Sequence, residues 1–406
     1  MKKIFVFIFF VSSLAAFAGS TDILMQGFHW ESHLTSPWYN VLKSNAKEIA
    51  DAKINMIWFP PSGASASDEG YLPNEWYNQN SAYGSVDDLK KTVAAFHFYN
   101  VKVIGDIIIN HRVGVRDWAD FTNPTWGTDA VTSDDEWARG TGAPDTGIGF
   151  IAGRDIDHTN PQVRSDIVSW LNWLKKEIGY DGWRYDFSRG YDGKFIEIYN
   201  DASVPSFSVG EYWPDYNTNN PDLSRQLISN WLDQTKGKSS AFDYTTKEIL
   251  REAVASNKYF KLKDPKGKAA GVIGWWPSKA VTFIDNHDTG PSTGGGGGQN
   301  LSSFPYDKVT MGYAYILTHP GTPCIYWVHF FDWGSGVKNE IKNLIKLRKD
   351  FGIHSESRVD IAVADNSKYA AIIDGKVAVK IGSGDWNPGA GFSEKLRGNN
   401  YIIWAK

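Results

Sequence analysis

Short apolar runs recur along the chain, and most are followed by a stretch whose apolar residues return every three or four positions. The runs cover residues 23–25, 54–59, 101–109, 183–187, 207–209, 281–284 and 323–327, with 241–244 as a weaker eighth. Near-continuous apolar character, in place of strict alternation, suits parallel strands buried on both faces. The clearest helix opens at Asn160-Pro161, an N-cap followed by proline at the first helical position. Its apolar stripe is Val163, Ile167, Trp170, Leu171, Leu174 and Ile178, and Gly179 ends it. Eight strand candidates with intervening helices predict an α/β fold, a (β/α)8 TIM barrel rather than a doubly wound sheet.

The pattern breaks twice. Periodicity is lost between His111 and Asn160, where Gly, Asp, Thr, Pro and Trp accumulate. Aromatics persist there, so residues 110–160 are expected to form an irregular excursion domain after the third strand, not a disordered linker. The barrel then comprises residues 19–109 and 161–350. Beyond about Phe351 apolar and polar positions alternate, at 359–363, 369–373, 377–381 and 401–404. That predicts a C-terminal antiparallel β domain over 351–406. The run Gly294 to Gly298 lacks the Lys-Ser/Thr of a phosphate loop and is expected to be a mobile loop after the seventh strand.

Composition adds three constraints. A chain of 406 residues with 42% hydrophobic and 22% charged residues is an ordinary globular balance, against both disorder and a membrane bundle. Net charge −4 offers no basic field for a polyanion, so no nucleic-acid partner is expected. Lys2 and Lys3 precede an apolar run too short to span a bilayer, and Ala16-Phe17-Ala18 resembles a cleavage site. A signal peptide over 1–18, cut near Ala18, predicts a secreted protein that is extracellular or periplasmic and not membrane-bound; a monomer is expected. Cys324 is the single cysteine and no disulfide can form within the chain, so stability must come from a large core or a bound ion. The aromatic share is high, 15%, with 18 Trp, 19 Tyr and 22 Phe. Trp170, Phe187 and Phe283 are assigned to the barrel core; the remainder hints at a ligand with flat, half-apolar faces.

Candidate chemistry sits where a barrel places it, at the C-terminal ends of strands. The third run ends Gly105-Asp106-Ile107-Ile108-Ile109-Asn110-His111, and the fourth Gly182-Trp183-Arg184-Tyr185-Asp186. The fifth ends Val209-Gly210-Glu211-Tyr212-Trp213, the seventh Phe283-Ile284-Asp285-Asn286-His287-Asp288. Three carboxylates from three strands converge on one cleft. A pair of carboxyls in an aromatic-lined cleft is what glycosidic cleavage requires.

These four segments resemble the four conserved regions of the α-amylase family of glycoside hydrolases, in its plant-like branch. Gly27-Phe28-His29-Trp30-Glu31, Glu69-Gly70-Tyr71, Trp170-Leu171-Asn172-Trp173-Leu174 and Gly274-Trp275-Trp276-Pro277 extend the likeness over nearly the whole chain. The resemblance implies Asp186 as nucleophile, Glu211 as general acid/base and Asp288 as the carboxylate that stabilises the distorted sugar. It also implies Arg184 holding Asp186 ionised, His111 and His287 hydrogen-bonding the sugar, and Tyr71 as its stacking platform. Trp213 is expected to stack against sugar and Arg189 to contact it on the leaving-group side. A retaining mechanism would put the carboxyls of Asp186 and Glu211 about 5–5.5 Å apart. Asp186 is expected to have a lowered pKa beside Arg184, and Glu211 a raised one.

The same resemblance implies a Ca2+ site on the side chains of Asn110, Asp145 and Asp155 and the carbonyls of Ile148 and Gly190. One such ion would pin the excursion to the barrel. Further ions are not expected, because Gly149 stands where an acidic ligand would be needed. Trp275 and Trp276, adjacent indoles at a turn, are expected to form a surface site for starch granules. The Gly294–Gly298 run and the Tyr326-Trp327-Val328-His329 segment, which lacks the family's usual Asp before the His, depart from the pattern. The leading function is an endo-acting α-amylase cutting internal α-1,4 links of starch, glycogen or maltooligosaccharides. Maltooligosaccharide release, transglycosylation and an inactive glucan-binding protein are the alternatives.

Overall fold

The computed structural model describes residues 19–35, 37–116, 119–137, 139–294 and 296–406. The expected signal peptide lies outside them. Eight parallel strands close a barrel in chain order: β1 (Leu24–Gln26), β2 (Met56–Trp58), β3 (Lys102–Ile107), β4 (Gly182–Tyr185), β5 (Ser208–Gly210), β6 (Ser240–Phe242), β7 (Ala280–Thr282) and β8 (Thr322–Tyr326). The barrel closes where β1 pairs with both β2 and β8. Each strand coincides with one apolar run of the sequence, including the weak eighth candidate, and nearly every strand residue is buried. Cys324 is a small buried hydrophobe on β8.

Helices cover the barrel, and their ends follow local rules. α1 (Trp38–Asp51) precedes α2 (Val86–Phe98), which starts from a capping box between Ser85 and Asp88. α3 (Pro161–Trp173) is capped by Asn160, whose side chain accepts from the Gln162 N–H. Where a regular helix was expected to continue, a wide π turn runs through Leu174–Ile178 and stops at Gly179, at φ 97°. The wider turn keeps both Leu174 and Ile178 buried. α4 (Lys194–Ser203), α5 (Pro221–Gln234), α6 (Tyr244–Ser256), α7 (Val309–Thr318) and α8 (Gly334–Asp350) complete the layer. Among the described residues no helix is long and apolar enough to cross a membrane.

The irregular segment after β3 leaves and returns through a short antiparallel ladder that pairs His111-Arg112 with Arg154-Asp155. Arg112 is its anchor. Its fully buried guanidinium donates to the carbonyls of Asn74 (2.7 Å), Pro124 (2.8 Å) and Thr122. The rings of Trp76, Phe121 and Trp126 surround it at 5.0–5.1 Å. A planar fork of donors among carbonyls is a task Lys cannot copy.

The chain ends in a five-stranded antiparallel sheet, β9 (Val359–Ala364), β10 (Lys368–Ile373), β11 (Val377–Gly382), β12 (Ser393–Gly398) and β13 (Tyr401–Ala405), in the order β9-β10-β11-β13-β12. β12 is the strand that alternation did not reveal. It is an edge strand, its Ser393-Glu394-Lys395 exposed, so neither face writes an apolar pattern into the sequence. The sheet is tied to the barrel by Tyr369, whose hydroxyl lies 2.8 Å from His319 Nε2 beyond α7.

Replacing Arg112 strands three carbonyl groups and opens a cavity among three aromatic rings. Arg112→Met is expected to destabilise the protein by at least about 3 kcal/mol, and Arg112→Lys to recover only part of that. Denaturant unfolding of the three proteins measures it.

Candidate active site

Asp186 follows β4 by one residue and Glu211 follows β5 by one residue. Both meet the guanidinium of Arg184, which points inward from β4 and is wholly buried. Arg184 Nη1 lies 2.7 Å from Asp186 Oδ1 and 2.8 Å from Asp106 Oδ1, and Nη2 lies 2.8 Å from Glu211 Oε1. Asp106, within β3, also accepts from Trp58 Nε1 and from the Tyr71 hydroxyl, each at 3.0 Å. One cation thus organises three acids.

The turn after Asp186 fixes the spacing. Phe187 adopts φ 40°, a left-handed conformation that is costly for an aromatic residue, and its N–H donates to Glu211 Oε2 at 3.1 Å. This turn sends the Phe187 ring into the cleft wall, so its assignment to the barrel core is corrected. Trp170 and Phe283 do belong to the core. Glu211 Oε1 also accepts from the Tyr244 hydroxyl at 3.1 Å, and Trp213 stacks on the Tyr244 ring at 4.7 Å and 10°.

Asp288, in the loop after β7, completes the carboxylate set. Its Oδ1 accepts from the Gln299 amide at 2.8 Å, and its Oδ2 lies 3.4 Å from His287 Nε2. His287 Nδ1 faces the Gln26 amide nitrogen at 2.8 Å. With Nδ1 accepting, the ring proton sits on Nε2, a tautomer assigned from this partner. Burial keeps His287 neutral, its pKa well below the ordinary value.

These groups line a cavity of about 410 Å³ walled by Trp30, Tyr71, Phe150, Phe187 and Trp213. Tyr71 lies parallel to His287, centroids 5.2 Å apart, and to Trp30 at 5.9 Å. A second cavity of about 460 Å³ adjoins it, sharing Phe187, Glu211, Trp213 and Arg189, whose Nη1 donates to the Trp213 carbonyl at 3.0 Å. His111 borders the cleft with both ring nitrogens engaged, Nε2 by the Tyr71 carbonyl at 2.7 Å and Nδ1 by Asn110 at 3.3 Å. Phe150 covers its face at 3.8 Å, so a sugar would reach His111 only by displacing one of these contacts.

Burial dominates the charges. It raises Asp186, Glu211 and Asp288, and lifts Asp106 to about 7, against the opposing pull of Arg184. The lowering expected for Asp186 is therefore overruled by desolvation. A hydrogen bond with the Glu211 carboxyl favours ionised Asp186, while the charge on Asp186 raises Glu211.

Asp106, Trp30, Phe150, Tyr244 and Gln299 were absent from the candidate residues. Asp106 did carry a signal, the one acid inside a mostly apolar strand. Tyr244 opens α6 and Gln299 lies in the loop after β7, and nothing in the residues around either marks its contact with Glu211 or Asp288. Neither Trp275 nor Trp276 lines the cleft; both are half-buried, and the Arg225 guanidinium lies 3.8 Å from the Trp275 ring centroid.

Of the expected cation ligands, Asn110, Asp155 and Gly190 adjoin at the root of the excursion. Asn110 Nδ2 donates to Asp155 Oδ1 at 3.1 Å, and Gly190 lies so close that a Cβ there would come 1.9 Å from Asn110 Oδ1. The Ile148 N–H bonds the Arg189 carbonyl at 3.2 Å, bringing that turn against Gly190. Asp145 Oδ2 is buried without a hydrogen-bond partner. Burial, with the nearby charges of Asp145, Glu136 and Asp135, pushes Asp155 up to about 8. Carboxylate oxygens of Asp135, Glu136 and Asp155 fall within 4.8 Å of one another. Asp135 and Glu136 are additions to the expected set, and Asp135 already pairs with Arg154 at 2.8 Å. Crowded acids around an orphaned oxygen are a donor set that fits a hard cation.

Comparison with known proteins agrees with this architecture. A family model described as the alpha-amylase C-terminal beta-sheet domain matches residues 350–405. Probable alpha-amylase 2 of Arabidopsis thaliana is 42% identical, covering 95% of this chain and 94% of its own. Alpha-amylase 3, chloroplastic, of the same plant is 44% identical over 94% of this chain, which spans only 44% of that relative's length. An alpha-amylase structure from Malbranchea cinnamomea shares the fold, with TM-score 0.65 and 17% identity over 90% of this chain and 83% of that one. A barrel with these strand-end carboxylates, joined to this C-terminal sheet and to a relative matched nearly end to end, places the chain in the α-amylase family of glycoside hydrolases.

Proposed function

We propose that the protein is an exported, endo-acting α-amylase that hydrolyses internal α-1,4 links of starch or glycogen with retention of anomeric configuration. The observation that carries this reading is the attachment of Asp186 and Glu211 to one buried guanidinium, Asp186 Oδ1 2.7 Å from Nη1 and Glu211 Oε1 2.8 Å from Nη2. Carboxyls that close leave no room for a water between acid and base, as inversion requires. Asp186 attacks the anomeric carbon while Glu211 gives its proton to the leaving oxygen. Glu211 then takes a proton from water as that water displaces the sugar from Asp186. Asp288 and His287 hold the sugar's hydroxyls, and Tyr71 supports the ring. Arg189 and Trp213, shared with the adjoining cavity, receive the leaving-group side.

Glu211→Gln is expected to lower turnover of soluble starch by roughly 10²–10⁴-fold, and Asp186→Asn by at least as much. A reducing-sugar assay reads both; turnover like the parent's in either variant removes the assigned role.

The Tyr244 hydroxyl stabilises ionised Glu211, so its removal raises the Glu211 pKa further. The reaction needs Glu211 protonated, and the rate falls on the alkaline side as that proton is lost. Tyr244→Phe is therefore expected to move the alkaline limb of the kcat/KM profile to higher pH, leaving the acid limb in place.

Ca2+ is proposed at Asn110, Asp145, Asp155 and the carbonyls of Ile148 and Gly190, where it would neutralise the acids and clamp the excursion to the barrel. Chelator is expected to lower the thermal midpoint by several degrees, and added Ca2+ to restore it. An unchanged midpoint contradicts the clamp. Trp275 and Trp276 are proposed as a starch contact on the outer surface, using the indole faces that Arg225 and the core leave open.

A further inference from the structure

Outside the cleft, beside the loop that follows Asp288, lies a pocket of about 330 Å³ whose walls include Pro291, Asn300, Ser303, Phe304, Tyr306 and Trp333. Its volume falls within the range of small-ligand sites. Tyr306 is 68% exposed, and its ring centroid lies 4.3 Å from that of Trp333, tilted by 36°. The two rings form an angled wall. Trp333 is braced from behind by His329 at 4.5 Å, and Tyr306 stands on a single 3-10 turn entered through Pro305.

The pocket and the catalytic cleft lie on either side of one piece of chain. Gln299 and Leu301 line the cleft, whereas Asn300 between them, at φ 52°, lines the pocket. This segment is held firmly. The Leu301 N–H donates to the Asp288 carbonyl at 2.9 Å, the Gly298 N–H to Glu31 Oε1 at 3.1 Å, and Lys247 Nζ to Ser302 Oγ at 2.6 Å.

Among the described residues no charged side chain lines the pocket, so nothing there selects a phosphate, a carboxylate or an ammonium group. An exposed aromatic face with an amide and a hydroxyl beside it suits a neutral ligand with one flat apolar face and a rim of hydroxyls. We propose that this pocket is a second α-glucan subsite that holds a stretch of chain extending beyond the catalytic cleft, stacked on Tyr306 and hydrogen-bonded by Asn300 and Ser303. The proposal rests on the α-amylase reading and extends it to chain length: substrates long enough to reach Tyr306 gain affinity that short ones do not.

The test compares kcat/KM for long-chain amylose with that for a short chromogenic maltotrioside, in the parent, Tyr306→Ala and Tyr306→Phe. The ratio of long to short is expected to fall about five-fold or more in Tyr306→Ala and to stay within two-fold of the parent in Tyr306→Phe. Calorimetric binding of a long maltooligosaccharide to Glu211→Gln, with and without Tyr306→Ala, should show the same loss. A ratio and an affinity unchanged by Tyr306→Ala, in a parent that cleaves amylose, overturn the subsite alone. A parent that releases no reducing ends from amylose overturns the amylase reading and the subsite with it.

Discussion

The site depends on one guanidinium. Arg184 is wholly buried, yet Asp106, Asp186 and Glu211 all lie within 2.8 Å of it. A charge in that position is tolerable only when paired, and the acids are tolerable only around it. The arrangement adds little to stability by itself, since desolvation cancels much of the attraction. It fixes positions instead. Arg184 leaves β4 two residues before Asp186, so the shortest chain connection places cation and nucleophile together. β5 is the next strand round, and Glu211 arrives from it at the same guanidinium. One cation among three buried acids, with Asp288 beside them, also forces protons to be shared.

The excursion answers a different electrostatic problem at the same end of the barrel. Its ladder pairs His111, at the edge of the cleft, with Asp155, at the heart of the acidic cluster. The acidic cluster therefore lies beside the chain that leaves β3 for the excursion. Arg112, next to His111, secures the opposite face of the ladder through carbonyls and aromatic rings, without needing a metal. The excursion is held from one side by a fixed cation of the chain and carries on the other a donor set suited to a mobile one.

Much of this was legible in the sequence, for identifiable reasons. Strands buried on both faces must be apolar throughout, so Met56–Trp58 and Thr322–Tyr326 stand out, and so do the acids where such runs stop. Asp186 and Glu211 are conspicuous because each ends a run. The role of Asp106 is not legible in its own strand, because its partners Trp58, Tyr71 and Arg184 come from other strands and loops. β12 escaped because an exposed edge strand has no buried face. Phe187 was placed in the core because its identity is apolar; only its left-handed backbone turns it into the cleft. The pKa of Asp186 was misjudged by counting the neighbouring charge and omitting burial.

The central claim is that Asp186 and Glu211 act as nucleophile and acid at one anomeric carbon. The anomeric form of the first-formed product, followed by proton NMR on soluble starch before mutarotation, addresses it most directly. Retention, with the α-anomer appearing first and the β-anomer growing in later, is the predicted result. Initial formation of the β-anomer would contradict it.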